Sequence, residues 1–349
     1  MRSTTKVETL PPSMRAVRQH DPGGSLVMES LPLPEPGHGE VLVRMHASPI
    51  NPSDLASIRG ESPGINYPSV PGLEGSGIVV KAGKGLFPAL RKGKRVACTP
   101  VPGRNGAWAE YMVTSAMRCV PLPSGISMEQ GSMMLINPMT ALAFIELAKK
   151  GKHRAMVNNA AASSLGKMLI RLSGKYNLPL INIVRKETQV RELEGMGAEY
   201  VLNSSERNFP EELGRLGREL GATLILDAVN GEQASLMLEA APRGSRLVVY
   251  ARLSGEQITL DPGSLIRQDT QVSGFYLGSW LDSRSLLFKI RLLHRVGRML
   301  PGTLASHIRC MMPLEKVEEA ITLYTEHMSA GKVILVTGRD LQEHERLYK

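Results

Sequence analysis

Residues 155–186 begin Ala-Met-Val-Asn-Asn-Ala-Ala-Ala-Ser-Ser-Leu-Gly-Lys, continue through an amphipathic run, and end Leu-Pro-Leu-Ile-Asn-Ile-Val-Arg-Lys. A short apolar stretch, a turn of small residues, a helical run to Lys175 and a second apolar stretch predict strand, turn, helix, strand. Gly166 falls at the turn-to-helix junction, and Arg185-Lys186 close the second strand. A helix N-terminus presents unpaired N–H groups and partial positive charge, so such a unit can seat a pyrophosphate, with a cation beside a ribose phosphate. The expectation is a phosphorylated dinucleotide, NADPH. Of the strict Gly-x-Gly-x-x-Gly pattern, Asn159–Gly166 keeps one glycine. Two readings of this turn stay open. Either the Ser163 and Ser164 hydroxyls and backbone amides replace the close approach that glycines allow, or a serine simply caps the helix.

Downstream, strand and helix patterns alternate. Strands are expected at Tyr200–Leu202, Thr223–Asp227, Ser245–Tyr250 and Thr270–Leu277, with helices at Thr188–Met196, Pro210–Leu220 and Gly231–Ala240 between them. With the first two strands this makes six, the number in a doubly wound dinucleotide fold with helices on both faces of a parallel sheet. Upstream, residues 14–125 are punctuated by Gly and Pro and contain short apolar runs, as in Glu40–Met45, Gly77–Lys81 and Gly93–Pro100. They predict a turn-rich β-barrel. Helical spacing follows in Ser127–Leu135 and Thr140–Lys149. Beyond the sixth strand, a basic amphipathic helix (Ser283–Arg298), a helix (Leu314–Met328) and a strand (Lys332–Thr337) are read as a return to the first domain.

With 349 residues, the chain has room for two domains with substantial cores. Hydrophobic residues make up 42% and charged residues 21%, a globular composition. No apolar run is long enough to span a bilayer. The first thirteen residues are polar and include Glu8, so they do not read as a secretory signal, and only weakly as an import tail. Cys98, Cys119 and Cys310 lie far apart in sequence, without a Cys-x-x-Cys pair. This argues against a disulfide framework or a four-cysteine zinc lobe and for a reducing, cytoplasmic setting. The net charge of +9 could serve nucleic-acid binding, but the basic residues are scattered apart from Arg91–Arg95 and Arg284–Arg298. Attraction of an anionic cofactor or substrate is the preferred reading. At 4% aromatic residues, no stacking platform is evident.

Several segments, in order, resemble the medium-chain dehydrogenase/reductase superfamily. They are Ser48–Asp54, Val70–Gly77, Gly106–Tyr111, Asn137–Ala141, Gly197-Ala198, Asp227–Gly231 and Gly331-Lys332. The resemblance implies an α/β chain: a GroES-like β-barrel catalytic domain (14–130, resumed at 279–349) and a six-stranded parallel Rossmann domain (131–278). Zinc-dependent members carry Cys and His–Glu where this chain has Asn51 and Leu73-Glu74. Asn and Leu cannot stand in for a thiolate and an imidazole, so no metal is expected.

Within the superfamily, the chain resembles the zinc-independent quinone oxidoreductases and the mitochondrial-type 2-enoyl thioester reductases. The likeness to the latter rests on Asn159–Gly166, Ile183–Lys186 and Gly274–Trp280. It implies hydride transfer from NADPH to a quinone or an α,β-unsaturated carbonyl (enone or enoyl thioester), and a homodimer paired through the Thr270–Leu277 strand. By position, it implies cofactor contacts at Asn137, Thr140, Ser163, Ser164, Leu165, Gly166, Arg185, Lys186, Tyr250, Phe275, Tyr276, Leu277 and Lys332. Asn51 would orient substrate or nicotinamide. The family's proton-donating tyrosine, two residues past the position of Gly60, is Ser62 here, a poor general acid, and Tyr67 is the nearby phenol. The competing expectation is a non-enzymatic NADPH- or nucleic-acid-binding protein on the same fold.

Overall fold

Val41, Leu42 and Val43 are all fully buried, so this strand is covered on both faces rather than one. Each such side chain contributes roughly 1.5–3 kcal/mol by leaving water. The strand is the spine of a barrel in a computed structural model that describes residues 10–338.

The chain starts with strands β1 (Ser13–Gln19), β2 (Leu26–Pro32) and β3 (Glu40–Pro49), then helix α1 (Pro52–Ile58). β4 (Gly75–Ala82), α2 (Leu86–Arg91), β5 (Arg95–Cys98), β6 (Tyr111–Ser115), β7 (Cys119–Pro121) and α3 (Met128–Ser132) follow. Next come α4 (Asn137–Lys150), β8 (Ala155–Asn158), α5 (Ser164–Tyr176), β9 (Leu180–Val184), α6 (Glu187–Gly195) and β10 (Tyr200–Asn203). α7 (Phe209–Leu220), β11 (Ala222–Asp227), α8 (Gly231–Glu239), β12 (Arg246–Val249), α9 (Pro262–Gln268) and β13 (Gln271–Gly274) complete the alternation. α10 (Leu277–Asp282), α11 (Leu286–Met299), β14 (Ile308–Pro313), α12 (Val317–Glu326) and β15 (Lys332–Val336) end it.

These elements form two compact units. One runs to Ser132 and includes Cys310–Thr325 and the chain from Val333; the other holds Met133–Arg309 and Glu326–Lys332. In the first, a seven-stranded sheet has the order β14-β15-β3-β4-β5-β7, with β6 also on β3, and β1 pairs with β2. Its core gathers Val41, Val43, Met45, Val79, Val96 and Met112. The His46 ring bonds to the Glu129 carboxylate at 2.8 Å. That hydrogen bond lowers the Glu129 pKa to about 2.

The second unit is a parallel sheet of order β10-β9-β8-β11-β12-β13, the six-stranded doubly wound arrangement expected. β9 is buried along its whole length, as a strand covered by helices on both faces must be.

The structure corrects three readings. The sixth strand stops at Gly274; Phe275 and Tyr276 follow it, and Leu277 opens a helix. A short apolar run has no periodicity long enough to separate strand from helix. The basic helix starts at Leu286, where the Ser285 hydroxyl accepts from the Phe288 N–H at 3.3 Å. That helix lies in the second unit, because Arg295 ties it to Glu146 of α4 (2.7 Å) and to the Tyr176 hydroxyl (2.9 Å). The return expected at residue 279 therefore comes at Cys310. Cys98 and Cys119, distant in sequence, are register partners across β5 and β7, both buried and free. A side-chain hydrogen bond with Cys119, then burial, holds the Cys98 thiol well above its usual pKa.

Candidate functional site

The second unit collects most of the expected cofactor residues at the carboxyl ends of its parallel strands. β8 ends at Asn158, and the turn Asn159–Ser163 leads into α5. The Ala161 N–H donates to the Ile183 carbonyl at 3.2 Å, which fastens the turn to β9. Ser163 is the N-cap: its Oγ accepts from the Gly166 N–H at 3.1 Å. The capping reading of this serine is therefore correct as local structure. It does not exhaust the residue, since a hydroxyl that accepts one bond still has a proton to donate. A Cβ on Gly166 would stand 2.2 Å from the Ala161 carbonyl oxygen, so only glycine lets turn and helix approach this closely. Ser164 is half-buried and Leu165 is buried.

Arg185 and Lys186 are exposed at the end of β9, and among the described residues neither side chain is held in an ion pair. Tyr250 follows β12 and Phe275 follows β13. The Tyr250 hydroxyl donates to the Asn158 side-chain oxygen at 3.4 Å. Burial, then the nearby Asp227 charge, pushes the Tyr250 phenol well above its usual pKa. Asn137 opens α4, and Thr140 lies buried in its first turn. Lys332 is also buried, its backbone N–H donating to the His307 carbonyl at 2.8 Å. Tyr276 stands apart at 74% exposure, while Leu277 is half-buried.

Two features were not foreseen. Asp227, fully buried at the end of β11, accepts from the Asn159 amide at 2.6 Å, the Asn230 amide at 2.7 Å, and the Val229 and Asn230 N–H groups at 3.0 Å. Asn159 in turn accepts from the Ala228 N–H at 2.7 Å. A buried carboxylate needs such partners, so an Asp ending an apolar strand was the available signal. Beside this network, the Asn158 amide nitrogen and the Asn230 amide oxygen are buried without a partner among the described residues. The second feature is an aromatic ladder. Tyr250, Phe144, Phe275, Trp280 and Phe288 follow one another at centroid separations of 5.0, 4.9, 6.3 and 5.7 Å. The rings meet tilted or edge-on, with Phe144 and Trp280 buried, so the ladder is packing within the unit; its rings come from separated segments, which composition cannot reveal.

In the first unit, Asn51 is buried at the start of α1, and its amide donates to Glu74 at 3.0 Å. Asp54 accepts from the Asn51 N–H at 2.8 Å and the Leu73 N–H at 2.9 Å. Asn51 is thus fixed in orientation. Ser62 and Tyr67 converge on one residue: the Ser62 and Ser57 hydroxyls lie 3.0 Å apart, and the Tyr67 hydroxyl reaches the Ser57 carbonyl at 3.5 Å. The remaining hydroxyl contact is long, so the Tyr67 proton is only loosely committed. No group of three or more His, Cys, Asp or Glu side chains among the described residues is arranged to hold a metal ion. No helix among them is long and apolar enough to cross a membrane.

The sequence matches two family models: the alcohol dehydrogenase GroES-like domain over residues 37–124, and the zinc-binding dehydrogenase domain over 164–290. The mitochondrial enoyl-[acyl-carrier-protein] reductase of Arabidopsis thaliana is 31% identical over 280 residues, 78% of this chain and 74% of the relative. The mouse enzyme of that name is 27% identical over 90% of this chain and 86% of its own length. Among solved structures, a Mesorhizobium loti protein provisionally named NADPH:quinone reductase superposes with a TM-score of 0.83 at 30% identity, over 94% of this chain and 100% of that one. An enoyl thioester reductase from Candida tropicalis shares the fold, with a TM-score of 0.76 at 20% identity.

Proposed function

This chain belongs to the medium-chain dehydrogenase/reductase superfamily and is an oxidoreductase, and we propose that it uses NADPH to reduce a quinone or an α,β-unsaturated carbonyl. The observation that carries the cofactor assignment is the pairing of a tight turn onto the N-terminus of α5 with two uncommitted cations at the end of the neighbouring strand. Pyrophosphate suits the first and a ribose 2′-phosphate suits the second. The partnerless Asn158 amide nitrogen at the same strand ends also fits a ligand rich in acceptors.

In this reading, Ser163, Ser164, Leu165 and Gly166 hold the pyrophosphate through backbone N–H groups and hydroxyls. Arg185 and Lys186 hold the 2′-phosphate. Tyr250 offers a neutral phenol, and Phe275 backs it through Phe144. Asn137, Thr140, Leu277 and Lys332 complete the assigned contacts, and Tyr276 is the most exposed of them. When bound, the cofactor supplies a hydride to the acceptor carbon conjugated with its carbonyl. Asn51, fixed by Glu74, presents a rigid polar group in the other unit. The proton that completes reduction comes from Tyr67 or Ser62, which meet at Ser57, or from water.

A homodimer is part of the proposal. β13 is an edge of its sheet, and the nearby α11 exposes Leu286, Leu287 and Ile290. The free thiols of Cys98 and Cys119 suit a reducing, cytoplasm-like compartment. The non-enzymatic alternative is not favoured, because the relatives are named as reductases over most of this chain's length. The test is NADPH oxidation against a panel of quinones, enals and enoyl thioesters. Turnover of at least one class is expected; no turnover of any class rejects the assignment.

A further inference from the structure

α2 turns its apolar residues the wrong way for a barrel helix. It buries only Pro88, while Leu86, Phe87 and Leu90 are 72%, 51% and 54% exposed. A 3₁₀ turn at Ala116–Arg118 packs beside it and adds Met117, at 53% exposure. Singly exposed apolar side chains are ordinary, but four on adjoining elements form a patch. The surroundings are basic. Lys84 precedes the helix, Arg91-Lys92-Gly93-Lys94-Arg95 follows it, and Arg118 follows Met117. From Gly75 to Ala109 the sequence contains no Asp or Glu. Arg91 spends its Nε on the Cys119 carbonyl at 2.9 Å, pinning the helix to β7. Lys84, Lys92 and Lys94 are exposed and enter no ion pair among the described residues.

We propose that this face docks the protein onto an anionic lipid surface, with Leu86, Phe87, Leu90 and Met117 entering the headgroup–acyl boundary and Lys84, Lys92, Lys94 and Arg118 meeting lipid phosphates. Charge complementarity selects an anionic occupant. The shape selects a bilayer: the apolar side chains stand out as knobs from a short helix and a turn, and a bilayer accepts knobs without a matching socket. A projecting apolar face rimmed by lysine is the arrangement that binds membrane interfaces, because lysine stems lie along apolar surface while their ammonium groups reach the phosphates. The proposal does not depend on the identity of the acceptor.

Co-sedimentation of the intact chain with phosphatidylcholine vesicles, with and without phosphatidylserine, tests it. Retention is expected on the anionic vesicles and should fall as salt rises. Leu86→Ser/Phe87→Ser and Lys92→Glu/Lys94→Glu should each weaken retention by about tenfold or more, with the thermal midpoint and NADPH oxidation unchanged. Absence of retention on anionic vesicles, or retention indifferent to both pairs, overturns the proposal. So does a stable oligomer of the parent chain that dissociates in Leu86→Ser/Phe87→Ser, since a second copy would then be the occupant. Capture of a folded acidic protein without vesicle binding also rejects it.

Discussion

Gly166→Ala is the most exacting perturbation of the phosphate turn. The added Cβ would lie 2.2 Å from the Ala161 carbonyl oxygen, 2.6 Å from its carbon and 2.7 Å from its Cα. All three atoms are backbone, so no side chain can swing away, and the turn must open by roughly 1 Å to reach ordinary separation. Overpacking of this kind costs about 1–3 kcal/mol, and a backbone obstacle puts it near 3 kcal/mol. For a unit of this size that is a fall of roughly 6–12 °C in thermal midpoint. Opening the turn also moves the N–H groups assigned to the pyrophosphate, and weakening one charge-assisted hydrogen bond costs about 1.5–3 kcal/mol. Dinucleotide affinity should drop by about ten- to a hundredfold. The pyrophosphate is common to NADPH and NADH, so both should lose the same factor. Calorimetric titration with each, beside a thermal melt, reads all three quantities. A variant that melts within about 1 °C of the parent and binds both dinucleotides unchanged would refute the reasoning.

Arg185→Ala should do the opposite, lowering kcat/KM for NADPH by about tenfold or more while leaving NADH within about twofold, because an exposed cation contributes about 1–2 kcal/mol to a phosphate. The difference should shrink at high salt in steady-state assays, and equal losses for both cofactors would count against a 2′-phosphate site. Tyr67→Phe should reduce kcat by about a hundredfold if the phenol is the proton donor, whereas Ser62→Ala should cost less than about tenfold, since water replaces an aliphatic hydroxyl. Parental turnover in the double variant would remove both from the reaction. Glu129 has a folded pKa of about 2 against an ordinary 4.5, set first by the His46 hydrogen bond. Its stabilisation is therefore complete above pH 4.5 and lost as the pH falls toward 2, amounting after solvent screening to about 1 kcal/mol. His46→Ala should flatten urea midpoints across that window, and an undiminished acid slope would show that the pair does not contribute.

The doubly wound unit was legible because its central strands, β8, β9 and β11, are buried almost throughout and read as short apolar runs. Leu180–Val184, buried throughout and interrupted only by Asn182, is the clearest case, and its closing Arg185-Lys186 stands out against it. The turn into α5 was legible in place, since a serine cap and a glycine at a close approach leave local signatures. Long-range juxtaposition was not legible. Cys98 meets Cys119 only once β5 and β7 pair, and the five rings of the ladder come together only through tertiary packing. The end of β13 was misread because Phe275–Leu277 is too short a run to declare its period. The outward-facing α2 was not legible either: only the structure shows that Pro88 is inside and Leu86, Phe87 and Leu90 are not.

The most direct measurement is titration of the intact chain with NADPH and with NADH at one ionic strength. The account predicts that NADPH binds tighter by about tenfold or more, the share of a single phosphate held by Arg185 and Lys186. Equal affinity, or a preference for NADH, would contradict it.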